Sequence, residues 1–252
     1  MDWAEPYGPL IETTVRVLTW NVWGEHGPHE QRAERIAKLV RELDPDVVAL
    51  QEWDGRELGY EHAATTPGRL CAILSRWPMV RQEQRTLPGG IQPGGALFCE
   101  LDGPRGPLQV FSVALGAYRL GDSEKRQDQV RALTAFVAQA AAGRHPVVVC
   151  GDFNAPPDSD EIRMLTGRTA PGSPGVVFYD AWEVAGTGGP GHTWSNANPY
   201  ARPALYPDRR FDYVFSAWPR PGGAGHPVRC EVVGDGPDPG SDHYGVLAEL
   251  RY

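Results

Sequence analysis

No stretch of the 252 residues approaches the ~18 apolar positions of a membrane-spanning helix, so no span is expected. Met1 to Pro9 carry neither a basic flank nor an apolar core. No secretory signal is therefore read, and a cytoplasmic location is expected. Cysteine is scarce: Cys71, Cys99, Cys150 and Cys230 are scattered without C-x-x-C spacing. That speaks against a thiolate metal centre and for buried free thiols, a disulfide pair being the minority reading. Basic residues are outnumbered 24 to 32, leaving a formal charge of −8, and they form no run. Such a surface repels polyanions, so tight non-specific nucleic-acid binding is disfavoured, while a local basic site is still allowed. Repeats and long biased linkers are also missing, so one domain over 1–252 is expected. Glycine and proline, at 30 and 24, are plentiful and argue for many short elements joined by turns rather than a helix bundle. With 41% hydrophobic residues there is enough to bury a core.

The order of elements is informative. Thr14–Trp20 reads as a strand, and Ile36, Leu39, Val40 and Leu43 recur at helical spacing until Asp44-Pro45. Asp46–Leu50 is a short continuous apolar strand, of the kind buried on both faces. Leu70–Ser75, Gly95–Leu101 and Leu108–Leu115 are further strands. Ser123 is placed to cap a long helix with Val130, Leu133, Phe136, Val137 and Ala140 on one face. Pro146–Cys150 is a strand, Asp158 to Leu165 a short helix, and Phe211–Ser216, Val228–Val233 and Tyr244–Leu250 the closing strands. The two halves share one texture, which predicts an α/β fold: a four-layer sandwich of two mixed, mainly antiparallel sheets packed face to face with helices outside.

Polar residues gather at the strand ends. One strand ends at Trp20-Asn21, another at Gln51-Glu52, a third at Asp152-Phe153-Asn154; Asp212 opens a fourth, and Asp242-His243 a fifth. Strands lying side by side bring such ends to one edge, where loops form sites. Four carboxylates, two amides and one imidazole make a hard-oxygen donor set, suited to Mg²⁺ or Mn²⁺ rather than zinc, and point to phosphoryl chemistry. Taken singly, Asn21 reads as a turn residue, Asp212 as a partner for Arg209 or Arg210, and Asp242 as a cap. Glu52 and Asp152 differ, because a carboxylate after an apolar strand needs a partner and none is adjacent.

Together LTWNVWG (18–24), LQEWD (50–54), AILSRWPM (72–79), GDFNAPPDS (151–159), RRFDYVF (209–215) and SDHYGVL (241–247) resemble the endonuclease/exonuclease/phosphatase superfamily. GDFN with a C-terminal SDH at this distance is specific; either alone is weak. The resemblance implies the same sandwich fold and a Mg²⁺-dependent phosphoesterase. It makes Glu52 the main metal ligand, with Asn21 on metal or phosphate and Asp242 near a metal or supporting His243. Asp152 would position or deprotonate the attacking water, Asn154 would hold that water or a phosphate oxygen, and His243 would act as base or contact phosphate, its tautomer fixed by Asp212. Which of Asp152 and His243 takes the proton stays open. Arg76 and Arg126 would pair phosphate or form salt bridges within the fold, and Trp194 would pack in the core or rim, or, beside a phosphate site, stack on a base or cover an apolar leaving group.

One position departs from the pattern. Where much of the superfamily ends a strand with a His followed by Leu, this chain has Ala114-Leu115. Losing one general acid costs about 10²–10⁴ in rate. Three readings stay open: a residue changed by design to slow turnover, replacement by Tyr118 or His192, or a relative that binds without turnover. The expected substrate is a small or single-stranded phosphate ester, mono- or diester. A nuclease or DNA-repair phosphodiesterase is the alternative, nucleic acid being a less favoured partner. The expected state is a monomer.

Overall fold

The computed structural model describes residues 9–252 apart from 90–92, 118–119, 142–144 and 218–219; Tyr118 and most of the N-terminal stretch read for a signal lie outside the described residues. Two six-stranded sheets carry the fold. The first contains β1 (Thr14–Asn21), β2 (Val47–Gln51), β3 (His62–Thr65), β4 (Cys71–Ser75), β11 (Pro227–Val233) and β12 (Gly245–Arg251), in the order β11-β12-β1-β2-β4-β3. The second contains β5 (Met79–Leu87), β6 (Gly94–Gly103), β7 (Gly106–Ala114), β8 (Val148–Asp152), β9 (Tyr179–Asp180) and β10 (Asp212–Ser216), in the order β5-β6-β7-β8-β10-β9.

Each sheet is antiparallel except for one central parallel pair, β1 with β2 and β7 with β8. A parallel pair needs a long crossover, supplied here by α1 (His29–Leu43) and α2 (Ser123–Ala140). This repeated strand–helix–strand unit is the shared texture of the two halves. Three apolar layers fix the stacking: α1 on the outer face of the first sheet, the two inner faces on each other, and α2 with α3 (Asp160–Leu165) on the outer face of the second. The expected four-layer sandwich is the observed one. No described helix is long and apolar enough to cross a membrane.

Strand alternation sorts the side chains. In β7, Leu108, Val110 and Ala114 belong to the layer between the sheets, while Phe111 and Val113 belong to the layer under α2. One polar group interrupts the inner layer: Gln51 Nε2 donates to Ser112 Oγ (3.1 Å) and Thr19 Oγ1 (3.3 Å), tying the sheets together below the site. Asp44 stops α1 in a left-handed conformation (φ 48°), donating its backbone N–H to Val40. Ser123 is the first residue of α2 rather than its cap; its hydroxyl donates to Glu161 of α3 instead. All four cysteines are buried free thiols, and burial pushes the Cys71 thiol up to about 12.

Candidate active site

Strand direction decides what meets at the mouth of the sandwich. β1, β2, β7 and β8 run toward it, so they deliver their C-terminal residues: Asn21 pairs with Gln51, and Ala114 with Asp152. β10 and β12 run antiparallel to their neighbours and deliver their N-terminal ends. Asp212 therefore pairs with Asp152, and Asp242-His243 enter just ahead of β12 beside β1. Gly151 makes the β7–β8 contact close enough. Its φ is +149°, and a Cβ there would lie 1.9 Å from the Val113 carbonyl oxygen.

Asp152 is the hub. It is 2% exposed, and its Oδ1 accepts the Asn154 backbone N–H (2.8 Å). Its Oδ2 accepts the side-chain amides of Asn21 (3.0 Å) and Asn154 (3.2 Å). Asn154 is held in turn by donating to the Leu115 carbonyl at 2.9 Å. Both Glu52 and Asn154 sit in left-handed backbone (φ 54° and 49°), rare for side chains other than glycine and concentrated at functional positions. Asn21 Nδ2 also donates to Glu52 Oε1 (3.1 Å), so one amide links the Glu52 carboxylate to Asp152.

On the other side, His243 Nδ1 lies 2.8 Å from Asp212 Oδ2, and Nε2 faces Asp152 Oδ2 at 3.9 Å. Asp152, Asp212 and His243 thus form a buried trio whose ligand atoms all lie within 4.8 Å of one another. Burial opposes charge on His243, yet Asp212 and Asp152 outweigh it and hold the imidazole well above its ordinary pKa. Burial raises the Asp152 and Asp242 carboxyls, and neighbouring Glu52 raises Asp242 further. Trp194 meets the His243 ring edge-on, with centroids 5.1 Å apart. A groove of about 410 Å³ opens beside Glu52, lined by Gly24, Trp53, Gly68 and Arg69.

The structure thus brings Asn21, Glu52, Ala114, Asp152, Asn154, Trp194, Asp212, Asp242 and His243 to one mouth. Asp212 faces His243 rather than an arginine, since Arg210 pairs with Asp180 at 2.5 Å. Asn21 turns its donor, not its oxygen, toward the carboxylates, because Oδ1 is committed to the Trp23 N–H at 3.0 Å. Of the two readings for Arg76 and Arg126, the structure shows the salt bridges within the fold. Arg76 follows Ser75, which pairs with Val47 at the far end of β2, four residues and about 13 Å from Gln51. There it pairs with Asp44 and Asp46 and donates to the Pro45 carbonyl. Arg126 is 1% exposed and spends its Nε on Glu161 (2.5 Å), out of reach of a substrate at the surface. His192 lies 4.0 Å from Asp208, a loop carboxylate that also holds Ser195 and Asn196.

Other residues of the site escaped the sequence reading. Asn198, fully buried, donates to the carbonyls of Ser241 (2.8 Å) and Asp242 (3.1 Å). Thr193 Oγ1 accepts the N–H groups of Phe211 and Asp212. Trp20 Nε1 donates to the His243 carbonyl at 2.9 Å. No spacing marks Asn198 or Thr193, and Trp20, though inside a quoted motif, shows its role only through backbone far away in sequence.

Comparison with known proteins agrees with this geometry. The model of the endonuclease/exonuclease/phosphatase family matches residues 18–243. An uncharacterized protein of Caenorhabditis elegans is 22% identical over 299 residues, covering 94% of this chain and 91% of that protein. Among solved structures, D. rerio TDP2 complexed with single strand DNA product superposes with a TM-score of 0.79 at 20% identity, over 96% of this chain and 100% of that one. TDP2 from C. elegans gives 0.75 at 19% identity, over 99% and 78%. An endonuclease/exonuclease/phosphatase from Beutenbergia cavernae DSM 12333 gives 0.68 at 24% identity, over 94% and 71%. With strand ends, buried trio and motif order all in agreement, the chain belongs to the endonuclease/exonuclease/phosphatase family.

Proposed function

We propose that this protein is a divalent-metal-dependent phosphoesterase that hydrolyses a nucleotide or single-stranded phosphodiester by in-line attack of water. The observation that carries the reading is the shared Asp152, linked through Asn21 to Glu52 and facing a His243 pinned by Asp212. The likeness to a TDP2 structure holding a single-strand DNA product favours a diester over a small monoester.

The donor set fits Mg²⁺ or Mn²⁺. Glu52 has no basic partner among the described residues, and its charge burdens Asp242, a conflict that a cation relieves. Glu52 and Asp242 would hold the ion, which supplies neutralisation of phosphoryl charge when bound. The chain's own groups do the rest. Asp152, steadied by three N–H donors, takes the proton of the attacking water as the water oxygen bonds to phosphorus and the ester P–O bond breaks, the departing oxygen drawing its proton from solvent. His243, charged through Asp212, directs Nε2–H at a phosphoryl oxygen; the 3.9 Å between Nε2 and Asp152 leaves room for the attacking water to donate to Asp152 beside that oxygen. Asn154 orients that oxygen, and Asn21 keeps the two carboxylates in register. Trp194 walls the side of His243 where a base or apolar leaving group would lie.

A second reading is favoured by one observation: Ala114, paired with Asp152 at the mouth, offers no acid for the leaving group. That fits a relative that binds and turns over slowly or not at all. Bis-p-nitrophenyl phosphate and a short single-stranded oligonucleotide, assayed with Mg²⁺ or EDTA, separate the two. The wild type is expected to show Mg²⁺-dependent cleavage that Asp152→Asn abolishes, and Ala114→His to raise it by roughly 10²–10⁴ where leaving-group protonation limits the rate. Cleavage indifferent to EDTA and to Asp152→Asn would overturn the assignment, and no cleavage by either protein would favour the binding relative.

A further inference from the structure

Arg32 lies one turn into α1, on its buried face, and is 1% exposed, yet none of its hydrogen bonds goes to a carboxylate. A buried guanidinium ordinarily has an anion beside it. Here the whole fork is spent on main-chain carbonyls. Nε donates to His26 O (3.0 Å), and Nη1 to Val22 O and Gly240 O (both 2.9 Å). Nη2 donates to Gly24 O (2.9 Å) and His26 O (2.7 Å), with Trp23 O at 3.3 Å, and the plane lies 4.9 Å from the Trp23 ring centroid. Five carbonyls from two segments 214 or more residues apart in sequence thus converge on one cation.

A peptide held by its C=O points its N–H the other way, and two of these N–H groups serve the site. The peptide whose carbonyl is Val22 donates its N–H, that of Trp23, to Asn21 Oδ1 (3.0 Å). That contact decides which end of the Asn21 amide faces Glu52 and Asp152. The next peptide gives its carbonyl, Trp23 O, to Nη2 and its N–H, that of Gly24, to the Glu52 carbonyl at 2.9 Å. This steadies Glu52 in its left-handed conformation. The third held peptide leads from Gly240 into Ser241, whose hydroxyl donates to Asn21 O (2.7 Å) and approaches Asp242 Oδ1 (3.2 Å).

We infer that Arg32 is a positioning residue of the site: through the carbonyls of residues 22–26 and 240 it sets Asn21, Glu52 and Asp242 into the arrangement that receives a divalent cation. The inference rests on the proposed phosphoesterase reading. A lysine cannot replace Arg32, because an ammonium keeps the charge but has three donors on one point and cannot span the fork.

The test compares wild type, Arg32→Lys and Glu52→Gln, with two readouts. Calorimetric titration with Mg²⁺ is expected to show affinity lowered about 10- to 100-fold in Arg32→Lys, the range for residues that support ligands from behind. Amide hydrogen exchange, without metal, is expected to be faster in Arg32→Lys at Trp23 and Gly24 and unchanged at Val48 and Val149 in the strands. Wild-type exchange and wild-type Mg²⁺ affinity in Arg32→Lys would overturn the inference. If Glu52→Gln also binds Mg²⁺ as wild type, the metal reading fails, and exchange at Trp23 and Gly24 alone decides whether Arg32 organises these loops. Should Arg32→Lys not fold, the wild type decides. Mg²⁺ is then expected to slow exchange at Trp23 and Gly24, and unaltered exchange there would overturn the inference.

Discussion

Replacing Asp212 by asparagine removes one charge and keeps the shape. Asp212 is fully buried, and its Oδ2 lies 2.8 Å from His243 Nδ1. With the charge centres about 4 Å apart and an effective dielectric constant near 20, the attraction is on the order of 4 kcal/mol. Asp152 at 3.9 Å stays behind and retains part of the field. Asp212→Asn is therefore expected to lower the His243 pKa. In the wild type the imidazole sits well above its ordinary value, because Asp212 and Asp152 outweigh burial. The stability this contributes is fully present below the unfolded imidazole pKa of about 6.5 and is lost as pH rises through the folded value. The variant should lack that contribution, so the gap in Tm between the two proteins should be widest in acid. NMR titration of His243 in metal-free protein measures the shift directly. An unchanged His243 pKa in Asp212→Asn would refute the reasoning, since no other anion approaches Nδ1 as closely among the described residues.

Further outcomes follow from individual contacts. Gly151→Ala places a methyl 1.9 Å from the Val113 carbonyl and should cost more than about 3 kcal/mol; thermal melting like the wild type would contradict it. Arg210→Met leaves the buried Asp180 without its ion-pair partner and should cost about 3–5 kcal/mol, lowering Tm by roughly 10 °C in calorimetry; a change within about 2 °C would count against it. If Ala114→His restores a proton donor, its gain should be larger for an alkyl than for a p-nitrophenyl leaving group, and equal gains would show that the imidazole acts otherwise.

Much of the fold is legible in the chain wherever an apolar run ends in a polar stop. β1, β2, β4, β6, β7, β8 and β10 to β12 are all read as strands this way, and the polar ends of β1, β2, β7, β8, β10 and β12 carry the site. What escapes the pattern has a physical cause. β5 is an edge strand whose Arg81, Glu83 and Arg85 face outward, with the two arginines lying over Phe98 and Phe136, so its sequence reads as polar loop. β3, HAAT, is a short edge strand, and β9 has two residues followed by the five-residue α4 (Ala181–Ala185). Each is too brief to show a period. Arg76 and Arg126 show the converse limit: an arginine near a motif in sequence lies at the wrong end of a strand or under a helix. Arg32, Asn198 and Thr193 were invisible because their partners are main-chain atoms, which leave no trace in residue type.

The central claim is that acidic side chains distant in sequence share one divalent cation at this mouth. Crystals soaked in Mn²⁺ and measured at its absorption edge test it most directly. An anomalous peak is expected at coordination distance from a Glu52 carboxylate oxygen, roughly 2.1 Å, on the side of Asp242 and next to the Asp152–His243 pair. A peak bound elsewhere, with Glu52 still holding only the Asn21 amide, would contradict the account.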